Sequence, residues 1–448
     1  MTEAMTLNEL IRILNDNEAV ELSEYIEEVN AVDIAQLLPE LEDEQVWKLC
    51  SLLEVENLAK VLEQAEDEQA VRMAESITND ELIEVFSYMQ KDDIADLIGE
   101  IPDAQRKLLI KQMQVGDRNQ VTTLLQYPED SAGGIMTTAY ISLPETMSVA
   151  EGMARIKQTA NKTEVIETIY VTNARHQLTG TCNLRQILTA SKNTALKDIM
   201  NENVISVHPE DDQEAVAKLV SRYDLNAIPV INNRRSILGI ITVDDVIDVI
   251  VEEYNEDILE MAGVSKEESL TTSLADSIRL RLPWLLINLA TAFLASLTVK
   301  MFEGTIEQVV ALSSTMTIVS GMGGNAGTQT QSILVRQLAQ DDISKPKYWK
   351  AFWKEVLLGI INGGVCGAVT GLIVYMIYGN SFLGIIILIA MVGNLVVAGV
   401  SGFVVPVALK KFGADPAVSS SIFVTTATDV LGFFIFLGLA KLFLPLLM

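Results

Sequence analysis

Cysteine and histidine are both scarce in this sequence. The 448 residues include three cysteines, Cys50, Cys182 and Cys366, and two histidines, His176 and His208. The cysteines lie far apart and show no metal-ligand spacing, which argues against a disulfide scaffold and against a zinc site. Both histidines fall in predicted turns and are interpreted as ordinary loop residues.

Basic residues are also few, and the chain therefore carries a strong negative charge. There are 32 Lys and Arg against 60 Asp and Glu, a formal charge of −28. Such a field repels nucleic acid and attracts cations, so no nucleic-acid partner is expected. The N-terminal stretch lacks a basic segment followed by an apolar core. We therefore expect no cleaved signal peptide and a soluble part that stays in the cytoplasm.

The charge is not spread evenly along the chain. Residues 1–270 carry 52 acids and 21 bases, whereas residues 271–448 carry 8 acids and 11 bases and are largely apolar. An acidic soluble part joined to an apolar part indicates a membrane protein with a large aqueous portion.

Residues 1–128 are predicted to form an all-α domain of short amphipathic helices. The block at 33–53 is echoed at 57–77, a shift of 24 residues, which is typical of a small superhelix. Most of the acids in this domain indicate a solvated face. A tighter group of three acids, taken alone, also indicates surface charge: Asp92, Asp93 and Asp96.

Two consecutive segments, 129–198 and 199–246, share an α/β pattern of helix, strand, turn, strand and helix. An Ile-Met pair at 135–136 recurs at 199–200. This doublet resembles a pair of CBS domains, which commonly pack together as one regulatory module.

The second of these segments contains the nucleotide-contacting pattern of CBS domains, G-x-x-[ST]-x-x-[DN]. Gly239, Thr242 and Asp245 match it. In the first segment, Asn183 stands where the hydroxyl usually stands and Gln186 where the acid usually stands. The resemblance makes ATP a candidate ligand of the pair, and this departure leaves its binding open.

An acidic connecting helix is predicted to run over residues 244–262 and to lead into the apolar part, with the connecting segment assigned to 247–270. Apolar residues recur at helical spacing, and an acidic stripe runs beside them: Asp245, Asp248, Glu252 and Glu256. In isolation such a stripe indicates a solvated face. If it meets other acidic surfaces, the Coulomb repulsion must be relieved by cations, and oxygen-rich sites suit Mg²⁺.

Residues 271–448 are predicted to form an all-α transmembrane domain, because they contain several apolar stretches of about 20 residues or more. The five predicted spans are 283–302, 309–336, 352–378, 382–408 and 421–446. Basic residues cluster before the first span and in the second and fourth connections. By the positive-inside rule this predicts a multi-pass protein of the plasma (inner) membrane, with the N-terminus in the cytoplasm and the C-terminus outside.

The last predicted span carries a single acid, Asp429. Thr425 and Thr426 lie one turn before it and Gly432 one turn after it, so these residues share one stripe of the helix. A carboxylate inside a bilayer is costly unless it faces water, a cation or a partner. An ion-binding role is therefore favoured over a protonated side chain or one that bonds to a neighbouring helix.

The second predicted span is unusually polar. Its segment SGMGGNAGTQTQS at 320–332 places glycines and amides at membrane depth, where they either line a wet cavity or contact another helix. Asn325, Thr328 and Gln329 are candidate pore-side or interhelical groups, whereas Asn394 is interpreted as a helix–helix hydrogen bonder. Five spans contain no two-fold repeat, so a polar pathway is expected between two copies of the chain.

Over its full length the chain resembles the MgtE family of magnesium channels and transporters. The domain order matches, and so do four stretches: RLPWLLINL (281–289), GMGGNAGTQ (321–329), ADPA (414–417) and TTATDVLG (425–432). The resemblance implies a homodimer in the lipid bilayer, with a central pore lined by the second and fifth spans.

The resemblance also implies where ions bind. Asp429 of both subunits would hold a largely hydrated Mg²⁺, with the backbone oxygen of Thr425 and the small Gly432 in the same wall. It implies a gate as well, in which cytosolic Mg²⁺ between the soluble domains and the connecting helix holds the pore shut. The implied regulatory ligands are Asp245, Asp248, Glu252, Glu256, Asp92, Asp93, Asp96, Glu214 and Asp224. Asp415, at the cytoplasmic mouth, is predicted to steer cations or to cap the approach to the last helix.

The sequence thus predicts a multidomain membrane protein with an all-α superhelical N domain, an α/β CBS-domain pair, an acidic connecting helix and five transmembrane helices. The predicted function is a Mg²⁺-selective channel or transporter for magnesium uptake, and not an enzyme. Two alternatives are a nucleotide or cation sensor without transport and an intramembrane aspartyl hydrolase. The hydrolase would need two carboxylates within about 3 Å and a GxGD motif that the sequence lacks. Passage of other divalent cations, such as Mn²⁺, Co²⁺, Zn²⁺ or Ca²⁺, is left open, as is coupling to another ion.

Overall fold

The computed structural model describes residues 6–16, 19–28, 30–160, 163, 165–270, 272–340, 345–418 and 420–447. The chain divides into two compact units, Met1–Ile250 and Val251–Met448. The first contains a helical array and an α/β pair, and the second contains the long apolar helices.

The first unit begins with short helices joined by tight turns. In the described part of the chain these are α1 (Leu7–Asp16), α2 (Ala19–Glu28), α3 (Ala31–Ala35), α4 (Asp43–Leu52), α5 (Val55–Glu63), α6 (Asp67–Glu75), α7 (Asn79–Val85), α8 (Lys91–Glu100), α9 (Asp103–Gln112) and α10 (Val115–Leu124), with a 3₁₀ turn at Leu38–Glu40.

These helices repeat with a fixed period. Every second helix begins 24 residues further along the chain. Helices α3, α5, α7 and α9 begin at residues 31, 55, 79 and 103, and α4, α6, α8 and α10 begin with the same spacing. Helices two apart in sequence also pack together, α3 with α5 and α4 with α6, and so on to α8 with α10. Apolar residues of the array, such as Leu38, Leu49, Leu82 and Ile94, are fully buried. The predicted 24-residue repeat is therefore present and extends through the array.

An α/β pair comes after the array. Its elements are β1 (Ser142–Pro144), α11 (Val149–Thr159), β2 (Thr168–Thr172), β3 (Leu178–Asn183), α12 (Leu184–Thr189), a 3₁₀ turn at Leu196–Asp198, α13 (Gln213–Tyr223), β4 (Ala227–Ile231), β5 (Ile237–Thr242) and α14 (Val243–Met261).

The two halves of this pair repeat one design. Strands β2 and β3 are antiparallel, as are β4 and β5, and the register shifts at the same place in each hairpin. Strand β1 adds to β2 in parallel. The hairpin turns match as well, because His176 and Arg235 occupy equivalent positions with φ of 56° and 60°. The structure thus has the repeated pattern predicted from the sequence and places His176 in a turn.

The connecting helix has nearly the predicted bounds. α14 begins at Val243, directly after β5, and ends at Met261, one residue away at each end from the predicted 244–262, so the connecting segment assigned to 247–270 is helical only in part. Gly263 has a φ of 74°, a left-handed conformation that suits glycine and commonly ends a helix. Residues 264–270 are therefore not part of this helix.

The second unit consists of long helices. Within the described residues they are α15 (Leu274–Lys300), α16 (Glu303–Gln308), α17 (Ala311–Gln340), α18 (Lys345–Tyr378), α19 (Ser381–Lys411), α20 (Ser420–Leu442) and α21 (Leu444–Leu447). Four of them, α15, α18, α19 and α20, are long and apolar enough to cross a membrane. The 30-residue α17 covers the second predicted span, but its polar segment keeps it out of this group.

The helix bounds differ from the predicted span bounds, and two of the differences have a local cause. α15 begins nine residues before the predicted start at 283, because Ser273 caps it and Pro283 is accommodated inside it. The last span was predicted to reach 446, yet α20 ends at Leu442 and the short α21 comes after it. Pro445 explains this break, since a proline lacks the N–H that would continue the helical hydrogen bonds.

Close packing of α18 on α19 organises this unit. Glycines of α18 face the backbone of α19, and a Cβ on Gly359 would lie 2.6 Å from the Leu395 carbonyl oxygen. Gly371 and Gly384 face each other in the same way, with a Cβ on either one 2.6 Å from the carbonyl oxygen of the other. Small residues that let helix backbones touch are a common basis of helix association in membranes.

Candidate functional site

Asp429 lies where α20 packs against α17. Its side chain is half-buried, and its Oδ1 accepts a hydrogen bond from the Ser320 hydroxyl of α17. A hydroxyl donor stabilises a carboxylate but does not neutralise it, so the acid still requires a cation or a proton if it lies at membrane depth. A bond to a neighbouring helix is the alternative to ion binding that the sequence left open, and the structure contains such a bond.

The threonines beside Asp429 use their hydroxyl hydrogens within their own helix. The Thr425 Oγ1 donates to the Ser421 carbonyl at 2.8 Å, and the Thr426 Oγ1 donates to the Ile422 carbonyl at 2.6 Å. Both side chains are half-buried. Their hydroxyl oxygens keep lone pairs that can accept from another group.

Close packing against α19 explains why residue 432 is a glycine. It is buried, and a Cβ there would lie 2.6 Å from Oδ1 of Asn394 in α19. Its predicted place in a pore wall stays a prediction.

Helix α17 presents a polar stripe on its exposed face. Ser314, Thr317, Gly321, Asn325 and Thr328 are all exposed in the single chain, and they occur at the helical spacing of three and four residues. Polar residues on the outside of a helix this long would be costly against lipid. This face therefore suits a wet pathway or contact with another chain, and the pore-side or interhelical roles of Asn325, Thr328 and Gln329 stay predictions.

Acidic side chains of α8 and α14 come together within the first unit. Asp92 is half-buried and accepts a hydrogen bond from the Thr137 hydroxyl at 3.2 Å. Desolvation, with the Asp245 charge adding to it, raises the pKa of Asp92 to about 6. Desolvation and the charges of Asp92, Asp67 and other acids raise the pKa of Asp96 to about 7. Asp96 is nevertheless open to solvent in the single chain, so Asp92 is the firmer indication of crowded negative charge.

The remaining predicted regulatory acids are more dispersed. Asp248 and Glu252 are exposed and Asp93 is half-buried. Glu214 forms an ion pair with Lys218 at 2.6 Å, and Glu256 forms one with Lys266 at 3.2 Å. Asp224 ends α13 in a left-handed conformation with φ of 49°. Among the described residues, no three His, Cys, Asp or Glu side chains form a group that could hold a metal ion.

A second group of acids lies within the second unit, near the end of α14. Desolvation and the charges of Asp415, Glu256 and Asp257 raise the pKa of Glu260 to about 7. Asp415 accepts a hydrogen bond from the Ala417 N–H at 2.6 Å, a local turn before α20, and its predicted role in steering cations or capping stays a prediction. The Ser421 hydroxyl at the start of α20 donates to the Met261 carbonyl at 2.8 Å. The end of the connecting helix therefore contacts the helix that carries Asp429.

Two residues of these sites were missed by the sequence analysis. Ser320 opens the polar segment that was singled out, yet its contact with Asp429 depends on how α17 and α20 pack. Glu260 lies one turn beyond Glu256 and continues the acidic stripe, which was a usable signal.

The α/β pair contains a cleft of about 410 Å³ between its two halves. Its lining includes Asn183 and Gln186 from the first half and Asp224, Asn226 and Pro229 from the second. Asn183 and Gln186 also cap α12 by bonding to each other's backbone.

The predicted nucleotide motif has other contacts. A Cβ on Gly239 would lie 2.5 Å from the Thr137 carbonyl oxygen, and the Thr242 hydroxyl donates to Asp245 at 2.7 Å. Thr242 and Asp245 therefore help to seat α14, Gly239 leaves room for the backbone of Thr137, and none of the three is in the lining of the cleft.

Comparison with known proteins decides the family. The chain is 33% identical to the magnesium transporter MgtE of Bacillus subtilis over 353 residues, covering 79% of this chain and 78% of that protein. It is 35% identical to the magnesium transporter MgtE of Enterococcus faecalis over 328 residues, covering 73% and 72%. The chain belongs to the MgtE family of magnesium transporters.

Other matches agree with the domain order of that family, whose members are transporters rather than enzymes. The model of the MgtE intracellular N domain matches residues 29–130, the CBS domain model matches 196–252 and the MgtE divalent cation transporter model matches 316–439. A solved structure of the cytosolic domain of the Mg²⁺ channel MgtE in complex with ATP is similar at 32% identity and a TM-score of 0.52. It covers 55% of this chain and 100% of the solved chain.

Proposed function

We propose that this protein is a Mg²⁺-selective channel for magnesium uptake that works as a homodimer. The observation that carries the proposal is Asp429 beside the polar α17. A half-buried acid on an apolar helix contacts Ser320 of a helix whose exposed face is polar over four turns. Two copies of α17 and α20 around a symmetry axis would place these groups along a shared water-filled path.

The chemistry of the path suits a hydrated divalent ion. Mg²⁺ loses its water reluctantly, so a pore should hold the hydrated ion through acceptors that bond to its water molecules. Two Asp429 carboxylates would supply matching charge. The oxygens of Thr425 and Thr426 and the amide of Asn325 would supply neutral acceptors.

The membrane part would cross the bilayer five times. The four apolar helices and the more polar α17 support this topology. A helix as polar as α17 is tolerated where it lines a wet cavity or is covered by other helices. The N-terminus and soluble domains would lie in the cytoplasm and the C-terminus outside.

Cytosolic Mg²⁺ would close the channel by bridging its acidic surfaces. Carboxylates crowd around Asp92 and Asp245 in the first unit and around Glu260 and Asp415 in the second, and within each group they repel one another in the absence of cations. At low Mg²⁺ this repulsion would favour separation and an open pore, whereas bound ions would stabilise the closed state. The bond from Ser421 to the end of α14 offers a direct route from the connecting helix to α20.

Single-channel recording tests the proposal most directly. Purified full-length protein is reconstituted into planar bilayers with Mg²⁺ as the only permeant cation. We expect unitary currents that disappear when millimolar Mg²⁺ is added on the side of the soluble domains. Absence of Mg²⁺ current, together with normal folding and dimer formation, would contradict the proposed channel.

The gate is expected to depend on pH. A carboxyl with a raised pKa is protonated below that value and must lose its proton before Mg²⁺ can bind. Lowering the cytoplasmic pH from about 8 to about 5.5 crosses the values near 6 and 7 and should raise the half-closing Mg²⁺ concentration. The half-closing Mg²⁺ concentration should rise by up to about tenfold per pH unit for each proton that Mg²⁺ must displace. Asp92→Asn should flatten this dependence, and an unchanged half-closing concentration across the range would disprove it.

ATP is proposed as a ligand of the cleft in the CBS pair. The amides of Asn183, Gln186 and Asn226 supply donors and acceptors that suit a purine and a ribose. The Tyr170 side chain borders the cleft, and its buried hydroxyl has no hydrogen-bond partner among the described residues. These features fit the adenosine part of the ligand.

Calorimetric titration of the full-length protein with ATP checks this assignment. Tyr170→Phe should weaken binding by roughly tenfold, as expected when one buried hydrogen bond is lost. Tyr140→Phe is the matched control, because Tyr140 packs edge-on against Tyr170 but its hydroxyl donates to the Ile237 carbonyl. Equal ATP affinity in wild type and Tyr170→Phe would remove Tyr170 from the site.

A further inference from the structure

Asn394 is a fully buried amide at the junction of three helices. It lies in α19, and its Nδ2 donates to the Val319 carbonyl of α17 at 2.7 Å. A Cβ on Gly323 of α17 would collide with this nitrogen, and a Cβ on Gly432 of α20 would lie 2.6 Å from Oδ1. The two glycines therefore make room for the amide on both sides.

This amide bonds to the backbone directly beside Ser320. Val319, whose carbonyl accepts from Asn394, precedes Ser320 in α17, and the Ser320 hydroxyl donates to Asp429. A continuous set of contacts thus runs from Asn394 in α19, through one turn of α17, to the acid in α20.

Helix packing alone does not account for an amide here. The Asn394 Oδ1 is buried without a hydrogen-bond partner among the described residues, and a buried unsatisfied acceptor is costly. An apolar side chain of the same size would fill the space without that cost. The hydrogen bond from Asn394 to the Val319 carbonyl is therefore the contact that such an apolar side chain could not make.

We propose that Asn394 and Ser320 are positioning residues for Asp429. Asn394 fixes the Val319 carbonyl and thereby the turn that carries Ser320, and Ser320 fixes the orientation of the Asp429 carboxylate toward the ion. This inference rests on the proposed function, in which Asp429 holds the conducted Mg²⁺. An acceptor held in one orientation binds its ion more tightly than one that must be ordered on binding.

The test measures the Mg²⁺ concentration at half-saturating current in reconstituted full-length protein. Ser320→Ala removes one oxygen atom and Asn394→Leu replaces the amide with a side chain of similar size. Each should raise the half-saturating concentration by about tenfold, the change expected from losing one hydrogen bond. Ser320→Thr keeps the hydroxyl and should stay close to wild type.

Two controls separate positioning from packing. Ser401→Ala removes a buried hydroxyl that donates within α19, and it should leave the half-saturating concentration unchanged. In the double variant Ser320→Ala/Asn394→Leu the effects should not add, because the two residues act in series. If Asn394→Leu does not fold, Ser320→Ala with its threonine rescue still decides the matter.

The outcomes distinguish this inference from the proposed function. Wild-type half-saturation in Ser320→Ala, or failure of Ser320→Thr to restore it, would overturn the positioning role. If Asp429→Asn itself still conducts Mg²⁺ normally, the ion-binding role of the acid fails, and the positioning role fails with it. Loss of current in Asp429→Asn with unchanged affinity in Ser320→Ala refutes the positioning role alone.

Discussion

Replacing Asp429 with asparagine is expected to abolish Mg²⁺ uptake. The substitution keeps the size of the side chain and an oxygen that can accept from Ser320, but it removes the charge that attracts the ion. In the proposed dimer both carboxylates are lost at once. We expect flux into Mg²⁺-free proteoliposomes, measured with a fluorescent Mg²⁺ indicator, to fall by about a hundredfold or more, equivalent to roughly 3 kcal/mol of lost attraction.

The control for this experiment is another acid of the same unit. Glu303 begins the short α16 and is exposed, so Glu303→Gln changes the net charge equally while leaving the contact between Ser320 and Asp429 in place. It should transport as wild type does, and both variants should elute as wild type on size exclusion. Wild-type flux through Asp429→Asn would show that this acid does not hold the permeating ion.

Neutralising the acidic stripe of α14 is expected to leave the channel open at high cytosolic Mg²⁺. In the variant Asp248→Asn/Glu252→Gln/Glu256→Gln the ligands of this stripe are lost, so Mg²⁺ can no longer favour the closed state, while the remaining acids around Asp92 and Asp245 still repel one another. The half-closing concentration should rise by about tenfold or more, since several weak sites act together. Patch recordings with increasing Mg²⁺ on the cytoplasmic side measure it.

A matched triple variant tests whether any loss of negative charge has the same effect. Glu44, Glu68 and Glu75 are exposed acids of the helical array, and their neutralisation should leave closure by Mg²⁺ intact. Equal inhibition of wild type and of the α14 variant would rule out this stripe as part of the gate.

The element types could be predicted from the sequence because they depend on local pattern. The 24-residue shift between 33–53 and 57–77 indicates a repeating unit that buries one face, and the helix starts have the same period. The repeated α/β segments were recognisable for the same reason. The end of the last span was less accurate, since the end of α20 depends on Pro445.

Only part of the candidate site could be predicted from the sequence. Asp429 stood out because an acid on an apolar span is costly wherever it points. The acids Asp92 and Asp96 looked like surface charge, and their raised pKa values depend in part on Asp245, about 150 residues away in the chain. No local sequence pattern predicts that these acids lie close together, because their proximity depends on how α8 packs near the start of α14.

The sequence alone was enough to establish the division into an acidic soluble part and an apolar part, the helical and α/β repeats, and the identity of the acid on the last long helix. All three depend on composition and periodicity, which are properties of each segment of the sequence by itself. The tertiary structure decided which side chains meet that acid. Ser320 donates to Asp429, and Asn394 donates to the backbone of the turn that carries Ser320. Both contacts are possible because glycines on α17 and α20 let three helices approach closely. Such an approach exists only once the helices have packed.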